Sequence, residues 1–374
     1  MKPIKLFQLY SLVVLGLFAS SCSKEHGAAA DPTGNADSSL TFTNPVKDAV
    51  NNAFVTRFGD KYYVLANDDI YVSISEVKNM EYYKYAYTKT IYAADPKSAE
   101  ASASANITSP ELYQFDGKWY VYFAADKDGL AGRKRIYVLE NSDPNPLSGT
   151  WAMKGKIADS GNDFLATDGT VLEYKNQRYF IWSGWKSVNP LKDSVQQNLY
   201  IAKMASPVAL EGARVKISEP TYSWEKTSYN FDTAGKVIVR RELLNQNPQV
   251  LKNTAGDVFL TYTASACRTE NMAIGLLTLK KDGDPLNPAD WQKTASPVFS
   301  SNGENAYGPG FNSFFKSPNG AEDWIAYDAS RTPGGNCGSG RNIRIQKFSW
   351  KVDGSPDFGT PASTLVPLFR PAKN

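Results

Sequence analysis

Histidine is almost missing from this 374-residue chain: its single copy, His26, falls in a polar stretch ahead of any patterned segment. The folded part therefore has no Ser-His-Asp triad, no Cys-His pair and no histidine-ligated metal. Cysteine is nearly as scarce, with Cys22, Cys267 and Cys337 only, and two cysteines with no histidine nearby make a poor zinc site. No glycine-rich loop follows a strand and opens a helix, so a nucleotide phosphate has no cradle. Neither a metal nor an organic cofactor is expected. Blocks of like charge are absent too. The formal charge of +3 falls to +1 once Lys2 and Lys5 are set aside, and nucleic acid and acidic polymers are poor partners for such a surface. Amphipathic helical patterns are few, which leaves an all-β chain.

The N-terminus carries its own signals. Lys2 and Lys5 precede the apolar run Leu12–Phe18, and Ala19-Ser20-Ser21 follows as a small-residue cleavage site; residues 1–21 read as a signal peptide. The run is shorter than the about 20 apolar residues a membrane span requires. Cys22, directly after the site, resembles the acylated cysteine of a bacterial lipobox, although Ala19 stands where Leu is commonest. Residues 22–40 are rich in Ser, Ala, Gly, Asp and Asn and read as a flexible tether. An outer-membrane lipoprotein is expected, on the periplasmic or the surface face, touching the membrane through its lipid alone.

Beyond the tether, a short apolar strand, a polar turn and an aromatic strand recur five times. The copies are Phe54–Val64, Leu112–Phe123, Val171–Trp182, Val250–Tyr262 and Phe314–Tyr327. Their turns, such as Gly59-Asp60, Asp116-Gly117 and Asn319-Gly320, hold residues that tolerate tight reversal. A third strand follows each copy, at Ile70–Ser75, Arg135–Glu140, Gln197–Met204, Met272–Leu279 and Asn342–Trp350. Copies roughly 58 to 79 residues apart are too widely spaced for a helical solenoid but fit propeller blades. Residues 41–374 are predicted to form a single five-bladed β-propeller, expected as a monomer. Cys267 and Cys337 each fall in the loop after the aromatic strand of their blade, and an envelope compartment permits a disulfide between them; two free thiols are the alternative.

In a propeller the first strand of each blade starts near the axis, so the five strand starts face one another across a funnel. Here they read Asn52-Ala53-Phe54, Ser109-Pro110-Glu111, Asp168-Gly169-Thr170, Gln246-Asn247-Pro248 and Phe311-Asn312-Ser313. The loops between second and third strands open on the same face and are long in blades two to five. Long loops around a polar funnel make a small-ligand site. Trp182 and Trp185 flank Ser183-Gly184, where an indole suits stacking on a sugar ring; core packing is the competing role, and the more natural one for Trp182.

Several segments together resemble glycoside hydrolase family 43, in its arabinofuranosidase-like members. They are Asn245–Val250, Asp168-Gly169-Thr170, Ser109–Leu112, Tyr307–Phe314, Phe180–Trp185, Gln197–Met204 and Arg344–Trp350 with Pro356–Pro361. The resemblance runs in order from about Asn44 to the C-terminus. It implies an inverting glycosidase in which an Asp opening blade one activates water, an Asp opening blade three tunes the acid, and a Glu opening blade four protonates the leaving oxygen. Such a site sets acid and base about 6.5–9.5 Å apart, with water between base and sugar. Carried onto this chain, the base position is Asn52, the tuning position Asp168 and the acid position Gln246. Two of the three carboxylates are amides.

A carboxamide neither accepts nor donates a proton near neutral pH, whereas it keeps the shape and hydrogen-bonding capacity of the acid it replaces. General acid–base help is worth about 10²–10⁴-fold per group, so sugar binding can persist where hydrolysis does not. The surroundings have drifted as well: Ala53 stands where the family has Pro, Asn247 where it has Gly, Thr108 where Trp is common, and Phe311 and Asp328 where His is common. Asp48 and Glu242, each four residues before an amide, are the nearest carboxylates that a shifted register would bring in. Asp168 is also open to a turn-capping role, and Glu111 to that of a buried polar partner or a ligand contact. Arg341 or Arg344 reaches the funnel, where a guanidinium fork suits sugar hydroxyls, or else is a solvated strand-end charge. The leading expectation is a glycan-binding, glycosidase-like lipoprotein for arabinose- or xylose-containing oligo- or polysaccharides. One alternative is an active α-L-arabinofuranosidase using Asp168, Asp328 or Glu111 as a relocated proton-transfer group. Another is a structural envelope propeller whose funnel is plugged, with Phe311 as the first plug.

Overall fold

The computed structural model describes residues 40–50, 52–94, 103, 105–126, 133–157, 163–186, 196–230, 239–334, 337, 338 and 340–373, with the side chains of 228–230 and 239–241 left aside. Residues 1–21, read above as a signal peptide, and Cys22 and His26 lie outside the described residues. So do parts of the long loops, at 127–132, 187–195 and 335–336.

The described residues form mostly antiparallel strands, and their helical segments are short 3₁₀ turns. Five successive meanders account for nearly all of them. Their first two strands are Phe54–Phe58 with Lys61–Asn67, Ala105–Phe115 with Lys118–Asp126, Ala166–Tyr174 with Gln177–Gly184, Val239–Lys252 with Val258–Ala264, and Tyr307–Lys316 with Asp323–Ser330. Third strands follow at Tyr71–Val77, Lys134–Asn141, Gln196–Ser206, Ala273–Leu279 and Arg341–Trp350. The hairpin turns follow from local chemistry. Asp116 and Gly117 both have positive φ (52° and 78°), as do Lys175 and Asn176 (48° and 60°), the left-handed pair that a two-residue hairpin loop demands. Tyr174 and Gln177 pair across the base of that third turn.

Fourth strands, which the sequence pattern does not reveal, complete the first four meanders at Tyr87–Ala93, Ala152–Lys156, Ala209–Ser218 and Trp291–Lys293. The fifth borrows its outer strand from the other end of the chain: Lys47 and Asp48 pair with Ile343 and Asn342. Thr41–Phe42 likewise pairs with Leu368–Phe369. The fourth inner strand begins earlier than expected, because residues 239–244 cross beside Lys226–Asn230 and touch Gln196 and Gln197 in parallel before reaching the hairpin.

Apolar clusters lie between consecutive meanders. Tyr63, Leu65 and Ile74 of the first pack with Leu112, Val121 and Phe123 of the second. Tyr122 and Val138 meet Val171 and Phe180, Leu172 and Ile181 meet Leu260 and Tyr262, and Phe259 and Ile274 meet Ile325 and Tyr327. A further cluster joins Phe315 and Trp324 of the fifth back to Val55, Tyr62 and Val64 of the first. Each sheet is thus covered on both faces, which is why Lys118–Asp126 and Val258–Ala264 are apolar almost throughout rather than alternating. A fully buried Val, Leu or Phe contributes about 1.5–3 kcal/mol. The inner strands are neighbours in chain order, and the fifth lies beside the first. Cys267 and Cys337 form a disulfide with a Cα–Cα distance of 5.1 Å, tying the fourth-meander loop to that of the fifth.

Candidate functional site

Each inner strand has a residue with a left-handed backbone on it or just before it at the site end: Asn52 (φ 54°), Ser109 (51°), Asp168 (53°), Asn247 (47°) and Phe311 (47°). Strand register slips at these points in meanders two to five, the mark of a bulge that re-aims a side chain. Asn and Asp tolerate this backbone through local hydrogen bonds. Asn247 therefore occupies the place where the resemblance implies Gly without breaking the strand. A phenylalanine with positive φ is an outlier, and strained backbone of this kind is held only where the surroundings over-determine it. Phe311 is held by its own N–H, which donates to Thr263 Oγ1 at 2.9 Å, and by Asn312, whose amide donates to Thr261 Oγ1 at 3.0 Å.

Asp168 is far more than a turn cap. Its carboxylate accepts from Ser109 Oγ (2.6 Å), Thr167 Oγ1 (2.9 Å) and the backbone N–H of Asn247 (3.2 Å). One side chain thereby joins the inner strands of meanders two, three and four. The half-buried Lys134, whose ammonium pKa is lowered by burial and raised again by Asp126 and Asp168, donates to Thr108 Oγ1 at 3.3 Å.

The two amides are both half-buried. Asn52 is oriented through its backbone N–H, which donates to Asp328 Oδ2 at 3.3 Å. Gln246 pairs in register with Thr263 just before the bulge. Several polar atoms near these strand starts lack a protein partner: Oδ1 of Asn52, Asn247 and Asn312, and Nε1 of the half-buried Trp185. Acceptors and a donor left unmatched in buried positions call for hydrogen bonds from ordered water or a bound molecule.

Four of the candidate ligand contacts, Asp328, Arg341, Arg344 and Glu111, are buried and hydrogen-bonded within the protein, which for Glu111 is the buried-partner role that the sequence left open. Asp328, fully buried, accepts from Arg341 Nε (2.8 Å) and Nη2 (2.6 Å) on Oδ1. Burial raises the Asp328 carboxyl above its ordinary value against the opposing pull of Arg341. Arg341 reaches Gly308 O and Asp328 O as well. Arg344 donates to Asn342 Oδ1 (2.8 Å), Asn305 O (2.6 Å) and Ala362 O (3.2 Å), clamping the C-terminal segment to the fifth meander. Glu111, only 1% exposed, accepts from Tyr113 Oη at 2.6 Å and from Gln249 Nε2. The physical reason is common to all four: a buried charge or acid needs satisfied partners, and here nearby strands and loops provide them. Trp182 stacks against Phe180 and Tyr200 in the core. Asp48 is an exposed partner of Arg331, and Glu242 lies opposite Thr227 on the crossing strand; neither stands at a strand start.

Burial lifts Glu111 to about 8, opposed by its hydrogen bonds from Tyr113 and Gln249. The folded-state value is above the roughly 4.3 of an unfolded chain, so folding retains a proton. The stability it confers is complete below about pH 4 and is lost as pH rises towards 8. Glu111→Gln is expected to flatten that decline, improving stability at pH 8 relative to pH 5 by on the order of 3–5 kcal/mol compared with the natural protein. Melting curves at the two pH values check this; an unchanged pH slope contradicts it.

Sequence reading missed Lys134, Thr167 and Gln249, and also Glu225. Glu225 is fully buried, pairs with Lys293, and accepts from Tyr262 Oη (2.9 Å), Asn245 Nδ2 (2.8 Å) and the N–H groups of Thr221 and Tyr222. It fixes the strand segment that presents Gln246. The capping-box spacing Tyr222–Glu225 was the one local signal available.

Polar side chains at left-handed strand starts of an all-β scaffold, with Asp168 bridging three inner strands, make up the candidate site. The profile of Glycosyl hydrolases family 43 matches residues 42–356, and the chain belongs to that family. It is 35% identical over 354 residues to an extracellular exo-alpha-(1->5)-L-arabinofuranosidase of Streptomyces avermitilis, covering 92% of this chain and 68% of the relative. Identity is 32% to a Streptomyces chartreusis protein of the same description, over 77% of this chain and 82% of the relative. The structure superposes on an alpha-L-arabinofuranosidase from Lactobacillus brevis with a TM-score of 0.75 and 31% identity, covering 86% of this chain and 98% of that one. Solved members of this kind are β-propellers, and the all-β architecture agrees. The chain is thus a glycoside hydrolase family protein whose relatives act on arabinose-containing glycans.

Proposed function

We propose that the protein is a five-bladed propeller that binds an arabinose- or xylose-containing glycan in its axial pocket and does not hydrolyse it by the acid–base route of its family. The observation that carries this reading is the pair of amides, Asn52 and Gln246, at the positions where the family resemblance implies base and acid, around an Asp168 that keeps its inter-strand hydrogen bonds. The unmatched amide oxygens and the Trp185 indole N–H favour a retained affinity for polyhydroxyl ligands. The complete burial of Asp328 and its pairing with Arg341 argue against it as a relocated proton-transfer group. Phe311 is half-exposed, which suits an aromatic contact to a sugar face better than a sealed plug. Lys2, Lys5, the apolar run and Cys22 support delivery to the cell envelope with a lipid anchor.

Calorimetry with arabino- and xylo-oligosaccharides tests the binding. Measurable affinity is expected, and Trp185→Ala is expected to weaken it about tenfold, the scale of one aromatic contact. Absence of binding to arabinan, arabinoxylan and their oligosaccharides at millimolar concentration would overturn the proposal.

A further inference from the structure

Leu40, Tyr82, Tyr85, Tyr87 and Phe369 make up more than half of the large apolar side chains exposed among the described residues, and they gather at one end of the fold. That end is opposite the candidate site. The first inner strand runs from Phe54, close after Asn52, to the hairpin turn at Gly59-Asp60. The third strand of the same meander runs the same way and finishes at Val77, opposite Tyr62. The 3₁₀ turn Met80–Tyr85 follows there, and Tyr87 pairs with Glu76 as the chain turns back. The C-terminal segment reaches the same end, where Ala372 O accepts the N–H of Asn319 at 3.2 Å, in the hairpin turn of the fifth meander. Arg370 lies 5.3 Å from the Tyr82 ring centroid and donates its backbone N–H to Leu40 O at 2.9 Å. Phe369, the residue before it, pairs with Thr41.

Side chains three apart eclipse in a 3₁₀ turn, so Tyr82 and Tyr85, 40% and 74% exposed, share one side of theirs, while Met80 and Tyr83 join the core. The margin is positive. Lys84 lies 5.0 Å from the Tyr85 ring centroid. Arg370 and Lys373 stand 4.0 and 3.9 Å from the buried carboxylate of Glu81, and outnumber it. Glu322, near the same turn, is already paired with Lys347. Phenol rings with wet hydroxyls, two apolar tips and a basic margin suit the water interface of a bilayer with anionic headgroups; a neutral ligand has no use for the charge. The chain also enters here. Cys22, read above as the lipid-bearing residue, precedes Leu40 by 18 residues, so this surface is the part of the folded domain next in sequence to the anchor.

We propose that this surface lies against the anionic headgroups of the bilayer that holds the anchor, and thereby turns the candidate site away from the membrane. The proposal rests on the lipoprotein reading above and not on glycan binding. Protein expressed from the full chain is reconstituted into vesicles of phosphatidylethanolamine and phosphatidylglycerol that carry a headgroup spin-labelled lipid. A fluorophore is attached at Tyr87→Cys on the surface, or at Asn271→Cys in a loop at the site end; Cys267 and Cys337 are bridged. Quenching is expected at position 87 and not at 271. Lys84→Gln with Lys373→Gln is expected to lower the ratio of docked to undocked domain about fivefold for each ammonium removed. Tyr82→Ser with Tyr85→Ser is expected to lower it as well. All four side chains are exposed, so melting temperatures should not change. Protein that floats with the vesicles but shows equal quenching at both positions, or none, overturns the surface and leaves the anchor standing. Protein that does not float overturns both. Self-association in detergent that Tyr85→Ser abolishes, without quenching at 87, gives the face to a second copy of the chain and overturns the membrane assignment.

Discussion

Asn52→Asp combined with Gln246→Glu is expected to give a protein that releases arabinose from an aryl α-L-arabinofuranoside far faster than the natural one does. Each restored group is worth about 10²–10⁴-fold, and the two act on one transition state, so neither single variant should approach the double. The structure adds a condition. A carboxylate at position 52 would join Asp328, whose Oδ2 already accepts the residue 52 N–H. Arg341 neutralises Asp328 from the other side, which makes the new charge tolerable, and the inner-strand register that presents Gln246 is unaffected by an isosteric change. Single-turnover and steady-state assays on the two single variants and the double check this. A double variant as inert as the natural protein would mean that these two positions are not the ones that transfer protons.

Arg341→Met is expected to cost the fold about 3–5 kcal/mol, because it strands the fully buried Asp328 without its counter-charge. The loss should be smaller at pH 5 than at pH 8. A carboxyl whose folded-state pKa is raised by burial destabilises less as the pH falls and it takes up a proton. Adding Asp328→Asn to Arg341→Met removes the unpaired charge and should recover most of the stability. Denaturant melts of the single and double variants at both pH values test this. An Arg341→Met protein as stable as the natural one would show that the pair carries no structural role.

These expectations draw on features that differed in how far the sequence exposed them. Hairpins with Asp116-Gly117 at the turn, or with an unbroken apolar second strand such as Val258–Ala264, were readable because turn chemistry and two-sided burial act locally. The outer strands were not. Tyr87–Ala93 and Ala209–Ser218 are largely exposed and carry no apolar alternation, and the Lys47–Asp48 strand exists only because the fifth meander offers an edge from far along the chain. The site divides in the same way. Positions 52, 168 and 246 were singled out by their likeness to family motifs, a local signal. The burial and hydrogen bonding of Arg341, Arg344, Glu111 and Asp328 depend in part on partners far along the chain, such as Asn305 in a loop and Gln249 on another strand, which no spacing rule connects to them. Lys134 and Glu225 were missed for the same reason.

The central claim is binding without turnover, and one digestion assay tests it most directly. Purified natural protein is incubated overnight with arabinan, arabinoxylan and an aryl α-L-arabinofuranoside, beside an Asp168→Asn variant, and free arabinose and xylose are measured. The account predicts no release above the variant's background. Release by the natural protein that disappears in Asp168→Asn would contradict it and establish a working glycosidase.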